Sequence, residues 1–216
     1  MRYTLIIGNK NYSSWSLRPW LVLKHLGLDF DEVVIPLLQD NFKEKILAHS
    51  HAGKVPILKA DGFDLWDSLA ICEFLNDQYP EGKLWPTDPK AKAVARSISC
   101  EMHSGFFNIR NDMPMNMRRV INGVTPTAAC QSEIDRVVEI WTNCRAEFGQ
   151  EGPYLFGSFT IADAMFAPVV NRFATYQVPV SGQAATYMKT MQDMPSMKEW
   201  KADAIEEEWV IEAVEL

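Results

Sequence analysis

The amino-acid sequence predicts an α/β half followed by an all-α half, on three observations. Strand and helix signals alternate through the first eighty residues. Residues 80–90, Pro-Glu-Gly-Lys-Leu-Trp-Pro-Thr-Asp-Pro-Lys, hold three prolines and one glycine, the composition of a linker. Beyond them apolar residues recur at helical spacing with little strand signal. The chain has 216 residues, 47% of them hydrophobic and 23% charged, enough for one large domain or two small ones. The expected division is therefore 1–80, a linker at 81–90, and 91–216.

Residues 3–7 are a short β-rich run, 17–26 read as a helix, and 30–35 as a second strand ended by Pro36, which together make a βαβ unit. A weaker helix covers 41–49. Residues 55–59 and 63–66 read as a hairpin, because both apolar runs are short and Asp61-Gly62 suits a tight reversal. A helix over 68–78 is closed by Tyr79-Pro80. In the second half the periodicity predicts helices over 91–111, 128–148, 161–176, 184–192 and 196–207.

A net charge of −7 without any run of like charges argues against a nucleic-acid surface and against an anionic membrane, so the expected ligand is small. The N-terminal apolar run is too short for a signal peptide, and no segment approaches the roughly 20 apolar residues that span a bilayer, so a cytoplasmic protein is expected. Cys72, Cys100, Cys130 and Cys144 are widely spaced and fall in amphipathic stretches, as buried structural thiols do. Only His49 and His51 lie close together among the histidines, without neighbouring cysteines, so no metal site is expected. The common nucleotide-binding and hydrolase motifs are absent from the sequence.

The run Asn11-Tyr12-Ser13-Ser14-Trp15-Ser16-Leu17-Arg18-Pro19-Trp20 joins the first strand to the first helix. Proline lacks an N–H and belongs in a helix's first turn, which puts the cap near Ser16 and leaves Ser13 and Ser14 facing the positive helix end. No general base adjoins them in sequence, so their hydroxyls suit donation to an anion. Asp67-Ser68 precedes a helix, where a hydroxyl and the first N–H groups bind a carboxylate while the aspartate accepts from an ammonium group. The stretch around His103, Phe106, Phe107 and Arg110, with Met113, Met115 and Met117, has the composition of an adaptable apolar pocket, its arginines suited to an anionic co-substrate.

Four separated motifs carry a family resemblance: Ser13-Ser14-Trp15-Ser16-Leu17-Arg18, Gly53-Lys54-Val55-Pro56-Ile57-Leu58, Asp67-Ser68-Leu69-Ala70-Ile71, and Gly157-Ser158-Phe159-Thr160-Ile161-Ala162-Asp163. In this order they resemble the cytosolic glutathione S-transferases of bacterial type over almost the whole chain. The resemblance implies a thioredoxin-like N-terminal domain ordered β-α-β-α-β-β-α, a helical-bundle C-terminal domain contributing the second-substrate pocket, glutathione as co-substrate without a metal, and a homodimer. Zeta-class relatives carry Ser-Ser-Cys, which by resemblance makes Ser13 the first choice and Ser14 the second as donor to the glutathione thiolate. Val55-Pro56 resembles the family's cis-proline turn, with Val55 holding the cysteinyl backbone, Asp67 and Ser68 the γ-glutamyl end, and Lys54 the glycyl carboxylate. Trp15, His103, Phe106, Phe107 and Arg110 are the expected second-substrate residues, and Thr160 with Asp163 resembles a structural capping box. Trp15 stands where zeta-class isomerases place cysteine, so the expected reaction is transfer of glutathione to an apolar electrophile. The alternatives are glutathione-dependent cis-trans isomerisation of maleyl-type diacids, and a non-catalytic binding module on the same fold.

Overall fold

The computed structural model describes residues 2–215. Strand β1 (Tyr3–Ile7), helix α1 (Ser14–His25) and strand β2 (Phe30–Val34) form the opening unit, with β1 and β2 parallel from Tyr3 opposite Phe30 to Ile7 opposite Val34. Helix α2 (Phe42–Leu47) leads to β3 (Ile57–Ala60), antiparallel to β1, and β4 (Phe63–Leu65), antiparallel to β3. The sheet order is β2-β1-β3-β4, and α3 (Ser68–Gln78) completes this thioredoxin-like half. Asp61 (φ 30°) and Gly62 (φ 95°) make the β3–β4 reversal, a conformation that aspartate tolerates and glycine adopts freely.

Alternation along the strands assigns the two faces of the sheet. Tyr3, Leu5, Ile7, Leu58 and Ala60 join Leu17 and Leu21 of α1 and Ile71 and Leu75 of α3 in the main core. Ile6 and Ile57 point the other way, where Ile46 of α2 and Ile35 cover them. The second half contains α4 (Pro89–Ser104), α5 (Phe107–Asp112), α6 (Ala128–Phe148), α7 (Ile161–Thr175), α8 (Gly182–Asp193) and α9 (Pro195–Glu206). Helix α7 is buried along nearly its whole length and packs on α1 as well as on α4 and α8, so one apolar core runs through both halves. Trp20 of α1 and Trp200 of α9 add an edge-to-face pair with centroids 5.1 Å apart. No helix of the described residues is long and apolar enough to cross a membrane.

Three local expectations are corrected. Helix α1 begins at Ser14 with Ser13 as its cap, not near Ser16, because the Asn9 carbonyl already gathers the N–H groups of Tyr12 and Ser13 and starts the turn early. Pro19 consequently lies inside the helix, where its missing N–H deprives the Trp15 carbonyl of its usual partner. The single helix expected over 91–111 is two, because Gly105 adopts an extended conformation and Phe106 a left-handed one (φ 58°). A Cβ at Gly105 would approach the Glu101 carbonyl oxygen to 2.9 Å, so the break is built around a glycine. Cys100 is exposed, unlike the other three cysteines, because it falls on the face of α4 opposite Ala91, Ala95, Ile98 and Met102.

Candidate active site

The serine run is organised by hydrogen bonds that end at Ser13. Ser16 Oγ accepts the Gly8 N–H at 3.1 Å and lies 2.7 Å from Ser13 Oγ, which also accepts the Ser16 N–H at 3.4 Å. With Gly8 donating to it, the Ser16 hydroxyl can give its own proton to Ser13, and the Ser13 proton is then free to be donated onward. Ser13 and Ser14 are both buried, and the Ser14 hydroxyl has no partner among the described residues. Their place at the start of α1 adds the positive end of the helix dipole.

Beside this run lies a cavity of about 370 Å³ between the two halves. Neither serine lines it directly, but Trp15, the next residue, forms one wall. The opposite side is made by Lys54, Val55 and Pro56 and by Trp66, Asp67 and Ser68, and His103 of α4 contributes from the helical half. The Val55–Pro56 peptide is cis, and Val55 precedes Ile57, the first β3 residue paired to β1. Lys54 is exposed and forms no ion pair among the described residues.

Asp67 caps α3. Its Oδ1 accepts from the N–H groups of Leu69 and Ala70 at 3.1 and 3.4 Å, while Oδ2 lies 2.9 Å from His103 Nε2. The adjoining Ser68 hydroxyl is buried and partnerless, as is His103 Nδ1, and the His103 ring meets Trp15 edge-on at 5.3 Å. A buried hydroxyl left unpaired costs roughly 1–3 kcal/mol, so a ligand group that satisfied Ser68 would recover that cost. The Asp67–His103 contact had no local signal, because 36 residues separate its members in the chain.

Behind Trp15 stands a layer of guanidinium groups. Arg18 is fully buried, donates from Nε to the Met165 carbonyl at 3.2 Å, and leaves both terminal nitrogens without partners. Its Cζ is 4.2 Å from the Trp15 ring centre, and that of Arg110 is 4.7 Å away. Arg172 is also buried and donates to the Met113 carbonyl. Burial lowers all three pKa values, that of Arg172 to about 9, and a guanidinium still keeps its proton at neutral pH. Among the described residues no carboxylate forms an ion pair with Arg18, Arg110 or Arg172.

The remaining expected pocket residues separate. Phe106 is buried in the main core and Phe107 is 64% exposed, because the chain reverses at Gly105-Phe106 and turns the two rings apart; neither lines the cavity. Met115 and Met117 are core residues, and Met113 faces a different cavity that shares no lining residue with this one. At the start of α7, Asp163 Oδ2 accepts from Thr160 N and Oγ1 at 2.8 and 2.9 Å, and Oδ1 from Leu155 N at 3.1 Å. That carboxylate is fully buried, which raises its pKa to about 6. Burial also raises the Cys72, Cys130 and Cys144 thiols, those of Cys130 and Cys144 to about 11 and about 12, so none is a ready nucleophile.

Comparison with known proteins gives a consistent result. Residues 12–78 match the glutathione S-transferase N-terminal domain, and residues 125–202 match the glutathione S-transferase C-terminal domain. A probable maleylacetoacetate isomerase from Caenorhabditis elegans is 33% identical over 165 residues, covering 74% of this chain and 75% of the relative. A maleylpyruvate isomerase from Ralstonia is 26% identical over 191 residues, covering 80% and 85%. Among solved structures, a glutathione transferase homologue from Burkholderia with bound glutathione superposes with a TM-score of 0.69 at 25% identity, over 94% of this chain and 98% of that one.

Proposed function

Starting from a chain that belongs to the glutathione S-transferase family, we propose a glutathione-dependent enzyme whose second substrate is anionic, with cis-trans isomerisation of a maleyl-type diacid as its reaction. The observation that carries this reading is the buried Arg18 guanidinium, which stacks on the cavity wall Trp15 beside Arg110 and leaves both terminal nitrogens without a partner and without an ion pair among the described residues. Buried charge is costly unless an opposite charge or hydrogen bonds compensate it, and a dicarboxylate beside Trp15 would supply that compensation. The names of the isomerase relatives favour the same reaction over transfer to an apolar electrophile, reversing the order that Trp15 suggests in the sequence.

In this reading glutathione, when bound, supplies a thiolate that isomerisation regenerates and conjugation consumes. Ser13, last in the donor chain from Gly8 through Ser16, gives its proton to the sulfur as a hydrogen bond, with Ser14 the second candidate. Each pKa unit by which the thiol falls below its ordinary value of about 8.5 requires about 1.4 kcal/mol of preference for the thiolate. The Ser68 hydroxyl and N–H, at the positive end of α3, receive the γ-glutamyl carboxylate, and Asp67 the ammonium group. The Val55 backbone pairs with the cysteinyl residue, and Lys54 meets the glycyl carboxylate. The partnerless Ser68 hydroxyl is the local sign that these residues fit glutathione. A two-fold homodimer, carried over from the family, belongs to the same proposal and is checked by light scattering.

A second reading, transfer to an apolar electrophile, draws on the indoles of Trp15 and Trp66 in the cavity wall. The two are separated by incubating the enzyme with glutathione and either a maleyl-type cis-diacid or 1-chloro-2,4-dinitrobenzene. The expected result is formation of the trans-diacid at constant free-thiol titre. Loss of thiol with the aryl chloride, and no isomer, would establish transfer instead.

A further inference from the structure

The loop that presents the serines is held by the far end of the chain. After α9 the chain continues through residues 207–215, with one short 3-10 turn at Glu212–Val214, and returns across the β1–α1 loop. The Glu207 carboxylate accepts two successive backbone N–H groups, Lys10 at 2.6 Å on Oε1 and Asn11 at 3.0 Å on Oε2. Trp200 Nε1 donates to the Lys10 carbonyl at 2.8 Å, and Lys10 Nζ pairs with Asp203 and Glu32. The Asn11 side-chain oxygen receives the N–H groups of Met117 and Arg118. Tyr12 Oη meets Arg118, the Ile211 N–H and Glu215, while Arg118 also donates to the Glu207 and Trp209 carbonyls.

The loop's own carbonyl at Asn9 then accepts the N–H of Ser13 at 2.8 Å. A displacement of residues 10–12 therefore passes directly to the residue that caps α1. Two peptide N–H groups on one carboxylate form a rigid two-point grip, stronger than neutral pairing because the acceptor is charged.

We propose that Glu207 is a positioning residue for thiolate formation: the tail that it anchors fixes residues 9–12 and thereby sets the Ser13 hydroxyl against the glutathione sulfur. This rests on the proposed glutathione site. The charges facing Glu207 are Arg118 and Lys10, the latter shared with Asp203 and Glu32. A purely electrostatic role has the opposite sign, since removing a negative charge near the sulfur would favour the thiolate.

The test titrates the ultraviolet thiolate absorbance of glutathione bound to the full-length protein. Glu207→Ala is expected to raise the thiol pKa by about one unit, a tenfold loss of thiolate on the acid side of the titration. Glu207→Gln keeps one acceptor and is expected to fall between it and the wild type. Glu208→Gln removes the neighbouring exposed charge and is expected to change nothing. Tyr12→Phe, which releases the other end of the tail, is expected to raise the pKa by less, and it decides the matter with Glu207→Gln if Glu207→Ala does not fold. A thiol pKa that is unchanged in folded variants of lower thermal stability would show a purely structural tail, and a lowered one an effect of charge; either overturns the proposal. Absence of bound thiolate in the wild type would instead overturn the glutathione site itself.

Discussion

Aspartates at the starts of α3 and α7, Asp67 and Asp163, have surroundings that differ in a way that separates a binding cap from a structural one. Asp163 at the start of α7 is fully buried, and three donors from Leu155 and Thr160 fill its carboxylate. Asp67 at the start of α3 has a side chain 52% exposed at the mouth of a cavity, shares its second oxygen with His103, and sits beside a buried hydroxyl that nothing satisfies. A closed cap of the first kind leaves no group for a ligand to meet. The open one leaves a carboxylate oxygen for a cation, and the Ser68 hydroxyl and N–H at the positive end of α3 for an anion, which together match a zwitterion.

The difference is broken most directly at Asp67. Asp67→Ala removes the proposed ammonium acceptor and frees His103, and glutathione affinity is expected to fall about 100-fold, a loss near 2.7 kcal/mol, in the range of hydrogen bonds to charged groups. The lost cap is expected to cost about 1 kcal/mol of stability as well. Calorimetric titration beside thermal unfolding separates the two effects, and unchanged affinity in a folded variant would make Asp67 a structural cap after all. Ser68→Ala sharpens the contrast, because the hydroxyl has no partner to lose. Stability is expected to hold or rise slightly, while glutathione binding weakens about tenfold. A variant that loses stability and keeps its affinity would count against the open-cap reading.

Much of this arrangement is legible in the sequence, and what is not has identifiable causes. Helix α3 spans 68–78 in both the sequence reading and the structure, because Asp67-Ser68 and Tyr79-Pro80 are local signals at its two ends. Helix α1 is misplaced at its start because a rule for Pro19 outweighed the hydroxyl of Ser13 and the carbonyl of Asn9, whose contributions depend on a turn that periodicity does not report. The split between α4 and α5 is marked by Gly105, but an isolated glycine in a helical pattern is ambiguous until the approach of the Glu101 carbonyl is known. The pairing of Asp67 with His103, the unpaired Arg18 and the grip of Glu207 on residues 10 and 11 are illegible for one reason. Each depends on segments distant in the chain, and none has a periodic signature of its own.

The closed cap at Asp163 carries a pH signature set by its burial. Burial raises the folded-state pKa of Asp163 to about 6, above the unfolded value near 3.9, so the folded chain binds this proton more tightly than the unfolded chain. Its contribution to stability is therefore greatest below about pH 4, and it is lost as pH rises through about 6. The expected slope is no more than about 1.4 kcal/mol per pH unit across that window. Glu207, also raised by burial, acts in the same direction, whereas burial lowers His25 and makes its protonation favour unfolding as pH falls. Both cancel when wild type and Asp163→Asn are compared by chemical denaturation at intervals from pH 4 to 7. The stability of the wild type minus that of the variant should be highest at the acid end and fall as pH rises, whatever the absolute stability of the variant. A difference that is constant with pH would mean that Asp163 titrates as it does in the unfolded chain, and that burial alone does not distinguish the two caps.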